Sequence, residues 1–253
     1  MLREKVMFSF LNNIPQVTKN ILILNILFFI ATLVFESKGI YLINSLGGHY
    51  VNSPRFEPYQ IITHFFMHAG IWHLFMNMYL FVILGSYLER LWGEKRFFIF
   101  YVASAMGAFV LYNSIGVYEL MQLKNQLGSL GYNLVELNEH LKAGTSFSYI
   151  TRDTDVINHY VDMVNTPMVG ASGAVFGIMA AFALLFPNTE FMIYFAIPVK
   201  AKYLVGGYFL WELYNSIYVT PGDNVAHLAH VGGAIVGAAI ILYWRKRDKK
   251  NFW

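Results

Sequence analysis

The sequence contains no cysteine, which excludes disulfides and thiolate chemistry and leaves the redox compartment unmarked. Charge is scarce as well. Only 13% of the 253 residues are Asp, Glu, Lys or Arg, while 57% are hydrophobic, and a chain this apolar is a membrane protein rather than an ordinary soluble domain. Internal repeats and low-complexity tracts are missing, and the apolar patch at residues 6–11 is short and lacks the small-residue cleavage site of a signal peptide. Residues 1–19 read instead as a cytoplasmic amphipathic segment.

What is present are six apolar runs, at residues 18–35, 71–91, 97–117, 168–186, 201–219 and 225–244, each near the roughly 17 to 25 residues that cross a bilayer as a helix. They predict an all-α membrane protein whose membrane domain covers residues 20–244, followed by a basic cytoplasmic tail, "RKRDKKNFW", at 245–253. An even number of spans puts both termini on one side. If that side is the cytoplasm, its segments hold 13 of the 18 basic residues, as basic residues in short loops should. The net charge of +3 is then a record of topology, and no nucleic-acid surface is implied.

Two long connections fall on the outer side. Residues 36–70 carry Gly47, Gly48, Pro54 and Pro58 beside Phe56, Tyr59 and Phe65, too broken for a span yet apolar enough for a partly embedded loop. Residues 118–166 alternate apolar and polar positions at helical spacing, which predicts an inserted amphipathic helical hairpin between spans three and four.

Polar groups inside spans are costly and so are candidates for function. His73 and Asn77, four apart in "HLFMN", share a face of the second helix; Ser172 opens the fourth; His227 and His230, in "AHLAH", open the sixth. In the inferred topology these three helices all run from outside to inside, which brings hydroxyl, imidazole and carboxamide to one depth. Gly170, Gly173 and Gly177 on the fourth helix and Gly233 and Gly237 on the sixth allow two backbones to approach closely. Counted from His230, glycines fall at +3 and +7; counted from His227 they do not. His230 therefore shares the face that meets the serine helix. A serine at a helix start also sits beside free N–H groups and the positive end of the helix dipole, where a developing oxyanion is stabilised; His73 and Asn77 are placed to donate to it.

The stretches "THFFMHAGIWHLFMNM", "LERLWGEKRFFIFY", "GASGAVFG" and "AHVGGAIVG", in that order, resemble the motifs of the rhomboid intramembrane serine proteases. The resemblance implies a six-helix rhomboid bundle, a Ser172–His230 dyad with no aspartate, and cleavage of single-span or multi-span membrane proteins without a cofactor or a metal. It departs from the family pattern where Tyr59-Gln60 stands for the frequent Trp-Arg.

Other readings are weighed beside it. A lone membrane serine ordinarily serves helix packing, and only its partners argue otherwise here. A metal-dependent membrane hydrolase would draw on His64, His68, His73, His227 and His230, but the zincin pattern fails at Phe65 and no suitably spaced carboxylate is visible. A catalytically inactive rhomboid-like helix-binding protein is the third class. Glu89 and Glu212 read as structural hydrogen-bond acceptors or partners of nearby cations, and His49, His140 and His159 as solvated loop residues. The expected location is the plasma (inner) membrane, with both termini cytoplasmic.

Overall fold

The computed structural model describes residues 13–144, 154–193, 196–218 and 225–248. Helix α1, Gln16–Glu36, starts directly after Pro15, so part of the expected N-terminal surface segment belongs to it; residues 1–12 lie outside the described residues. The carboxylate of Glu89 accepts from the first free N–H groups of α1, Val17 at 2.8 Å and Thr18 at 2.7 Å, and from the Thr18 hydroxyl at 2.7 Å. That is the structural role expected of Glu89.

The connection that follows is ordered by two short helices, α2 (Leu42–Leu46) and α3 (Gln60–Thr63). Helix α4 then runs Ile71–Trp92, with one wider turn at Phe81–Gly85. Gly93, at φ 78°, supplies the left-handed turn into α5, Glu94–Ser129, a conformation that glycine adopts without steric cost. Nothing in the sequence breaks this helix near residue 117, so it runs 36 residues. The predicted hairpin is accordingly the end of α5 with α6 (Leu134–Ala143) and α7 (Thr154–Asn165). Leu120, Leu123, Leu127, Leu137, Ile157 and Tyr160 form a separate apolar core there.

Helix α8, Ser172–Leu185, is 14 residues long and mostly buried against α5 and α10. The apolar run at 168–186 begins four residues earlier, but the helix opens at Ser172, as the sequence reading has it. Met168 is instead paired with Gly48 as an isolated bridge, 2.8 and 2.9 Å, and Gly170 has φ 117°, which no helix permits. After α8 comes a two-stranded antiparallel ribbon, β1 (Glu190–Ile193) and β2 (Ile197–Lys200). The all-α expectation is corrected at this point: "EFMI" and "IPVK" are short, apolar and partly β-branched, and too brief for a helix. Helices α9, Ala201–Ile217, and α10, His227–Arg247, complete the order; of the basic tail, residues 249–253 lie outside the described residues.

Among the described residues four helices, α1, α4, α5 and α10, are long and apolar enough to cross a membrane. Helices α8 and α9 are shorter than that limit. A helix of 14 residues reaches only about 21 Å at 1.5 Å per residue, short of a hydrocarbon core of about 30 Å. Most residues of α8 are buried among the neighbouring helices.

Candidate active site

The backbone fixes the serine first. Gly170 N–H donates to the His64 carbonyl at 2.9 Å, so the α3 segment ties down the strand leading into α8. The next two residues turn directly into the helix, placing Ser172 at its first position with Ala171 as an N-cap that offers no side-chain acceptor. The leading N–H groups of α8 thus receive no oxygen from an N-cap side chain, and the positive end of its dipole lies beside the hydroxyl.

His230, in the first turn of α10, brings Nε2 to 2.8 Å from Ser172 Oγ. The approach depends on the glycines. A methyl at Gly237 would sit 2.6 Å from Gly177 Cα, and one at Gly233 would overlap the Gly173 carbonyl, so α8 and α10 meet backbone to backbone. His227 does not reach the serine: its Nδ1 lies 2.6 Å from Glu212 Oε2.

His73 lies over Gly170. A methyl on Gly170 would come within 2.9 Å of His73 Cε1 and 3.0 Å of Nε2, and it would stand 3.6 Å from Ser172 Oγ. The Ala69 N–H donates to His73 Nδ1 at 3.4 Å, which leaves the proton on Nε2, the nitrogen facing the serine segment. Asn77, one turn further on, donates its Nδ2 to the His73 carbonyl at 2.9 Å; its amide is buried and tied to its own helix. A cavity of about 10 Å³, room for about one water, lies against Ser172, Gly170, Met168 and His64.

His64 and His68 both bond to backbone carbonyls of their own segment. His64 Nδ1 donates to the Gln60 carbonyl at 2.8 Å, and its ring packs on Phe65 and Phe109. Burial pushes both histidines down to about 4, so they stay neutral in neutral solution. His49, expected in solvent, is 1% exposed, with Nε2 donating to the Asn44 carbonyl at 3.1 Å. Gln60 explains how the loop is held without the frequent Trp-Arg pair. Its buried amide donates to the carbonyls of Ser45 at 3.1 Å and Arg55 at 3.0 Å and accepts from His49 N–H at 3.3 Å.

Two residues near the serine escaped the sequence reading as functional. Phe176 stacks on the His230 ring at 4.3 Å and 10°; it is four residues after Ser172, hence on the same face, and that spacing was the available signal. Glu212, on α9, is 3% exposed, with Oε2 2.9 Å from His230 Nδ1, a contact bent away from the line of the ring N–H. Glu212, His227 and His230 form a grouping, among the described residues, whose ligand atoms lie within 4.8 Å of one another. The statement that no carboxylate is suitably placed for a metal is therefore corrected: the spacing that matters runs between helices.

A family model described as "Rhomboid domain" matches residues 55–121 and 110–247. An uncharacterized mitochondrial rhomboid protein of Schizosaccharomyces pombe is 25% identical over 224 residues, covering 77% of this chain and 55% of its own length. A mitochondrial RHOMBOID-like protein of Arabidopsis thaliana is 27% identical over 195 residues, 77% and 48%; a Rhomboid-related protein of Homo sapiens is 24% identical over 225 residues, 84% and 44%. The chain thus spans about half the length of the curated relatives it matches. Several of those names place the relative in mitochondria, so the plasma-membrane expectation finds no support in them. A multi-pass membrane protein is what they and the spanning helices support.

Proposed function

The chain belongs to the rhomboid family, and from that premise we propose that it is an intramembrane serine endopeptidase that cuts membrane-embedded segments of other proteins. The observation that carries the reading is the 2.8 Å contact between Ser172 Oγ and His230 Nε2 at an uncapped helix start. Ser172 attacks the scissile carbonyl, His230 takes its proton and returns it to the leaving amine, and a water then releases the acyl group by the reverse sequence. The Ser172 N–H, His73 Nε2 and Asn77 Nδ2 receive the oxyanion, Asn77 after giving up its bond to the His73 carbonyl. Peptide bonds in an intact helix are shielded, so the substrate unwinds locally before it is cut.

The purified protein is expected to cleave a single-span reporter in the presence of a strong chelator and to stop when treated with a serine-reactive fluorophosphonate. Activity lost to chelation and restored by zinc would move the assignment to the Glu212, His227 and His230 grouping and a metal-dependent hydrolase.

Asn77→Ala is expected to slow turnover on the order of a hundredfold, the usual value of one oxyanion donor, with the melting temperature nearly kept. Turnover equal to wild type removes Asn77 from that role. The short helices α8 and α9 complete six spans in this reading, with both termini cytoplasmic. A reporter fused after Trp253 is then cytoplasmic and one inserted at Gly128 is on the opposite side; the same side for both reporters refutes the arrangement.

A further inference from the structure

We propose that Glu212 is a positioning residue for the reaction, a third member of the Ser172–His230 chain that fixes the ring orientation and tautomer of the base. This inference rests on the serine-protease reading above and deepens it. Helix α9 is a peripheral element whose Tyr203, Leu210, Trp211, Tyr214 and Ile217 are exposed, and its buried side chains are Ala201 and Glu212. The one acid of this apolar helix therefore points inward, although a buried carboxylate is costly unless paired. It meets imidazoles: Oε2 lies 2.6 Å from His227 Nδ1 and 2.9 Å from His230 Nδ1. Tyr208, one turn earlier on α9, is a further titratable group beside it among the described residues.

The His230 ring is thus held on three sides, by Phe176 on its face, Ser172 at Nε2 and Glu212 at Nδ1. A neutral imidazole carries one proton, and only the Nδ1–H form leaves a lone pair on Nε2 to accept from Ser172. An ionised carboxylate accepts and cannot donate, so Glu212 selects that form. In the attack step the Ser172 proton moves to Nε2, the proton on Nδ1 stays, and Glu212 remains ionised beside the imidazolium it stabilises. The competing role is mechanical: Glu212 fastens α9 to α10 through both histidines. The two roles separate at His227, which shares the fastening and does not touch the serine.

Full-length wild type, Glu212→Gln and His227→Ala are compared by kcat and KM on the reporter and by the rate of Ser172 labelling with a fluorophosphonate. Ring-nitrogen NMR of histidine-labelled protein, assigned against His230→Ala, reads the tautomer. Glu212→Gln is expected to lose kcat and labelling rate by about 100- to 10,000-fold with KM within about twofold, while His227→Ala loses no more than about tenfold. The wild-type His230 ring is expected as Nδ1–H, and that preference disappears in Glu212→Gln. Equal losses in the two variants, or wild-type kcat in Glu212→Gln, overturn the inference. If Glu212→Gln fails to fold, a wild-type ring found as Nε2–H still overturns it. A wild type that neither labels nor cleaves sinks the protease reading itself; a labelled wild type with an indifferent Glu212→Gln sinks only the role of Glu212.

Discussion

Alanine at Ser172 or at His230 is expected to stop reporter cleavage, with a loss on the order of 10⁴-fold or more in each case, and the double substitution is expected to be no worse than either single one. The reason is that in the proposed mechanism the two act as a unit. Without the hydroxyl there is nothing to acylate, and without Nε2 at 2.8 Å the hydroxyl keeps its proton and is a poor nucleophile in neutral solution. Both variants should fold. Ser172→Ala removes one half-buried oxygen beside a cavity of about 10 Å³, and His230→Ala leaves Glu212 its 2.6 Å contact with His227. Turnover of the reporter, read together with the melting temperature in detergent, makes the check. A correctly folded Ser172→Ala protein that still cleaves would assign the chemistry elsewhere, and the grouping of Glu212 with His227 would be the next place to look.

How far the sequence carries toward this site depends on whether a feature is local or tertiary. Long apolar runs announce the spanning helices because the bilayer sets their length, and α1, α4 and α10 follow those runs closely. Which of His230 and His227 lies against Ser172 was also legible, since the glycines at +3 and +7 mark the stripe on which α10 meets α8. For α8 hydropathy alone left the start open, although Ser172 was read as opening that helix. Hydropathy continues smoothly back to Met168, and only the bridge to Gly48, more than a hundred residues earlier, and the φ of 117° at Gly170 end the helix at Ser172. Helix α5 ran past its apolar stretch because amphipathic sequence can continue a helix beyond the membrane once α6 and α7 cover its Leu120, Leu123 and Leu127. Glu212 was visible as the acid of an apolar segment, but its partners lie on another helix, and no spacing within a segment could point to them. What mattered was that an acid in a span is a functional candidate until its partner is known.

Gly233→Ala is expected to be nearly as damaging as losing the base, although the residue has no side chain and takes no part in the chemistry. A methyl at Gly233 falls on the carbonyl of Gly173, with Gly173 Cα 3.1 Å away. The obstacle is backbone in the first turn of a buried helix, so no side-chain rotation makes room. Either α10 withdraws or the first turn of α8 moves, and Gly173 is the residue after Ser172. Overpacking of this kind costs typically about 1 to 3 kcal/mol, and a displacement near 1 Å at the reacting atoms costs about a hundredfold in rate. Gly233→Ala should therefore show a lower melting temperature together with a hundredfold or greater loss of turnover. Gly206→Ala and Gly207→Ala are the controls. They lie in α9, where an added methyl meets nothing within 4 Å, and exchanging an unhindered helical glycine for alanine is worth up to about 1 kcal/mol in favour of the helix. Those two should fold at least as stably as wild type and keep its cleavage. A stable Gly233→Ala protein with wild-type turnover would mean that α8 and α10 do not need backbone contact for Ser172 to reach His230, and the close packing of the two helices would lose its explanation as the device that assembles the site.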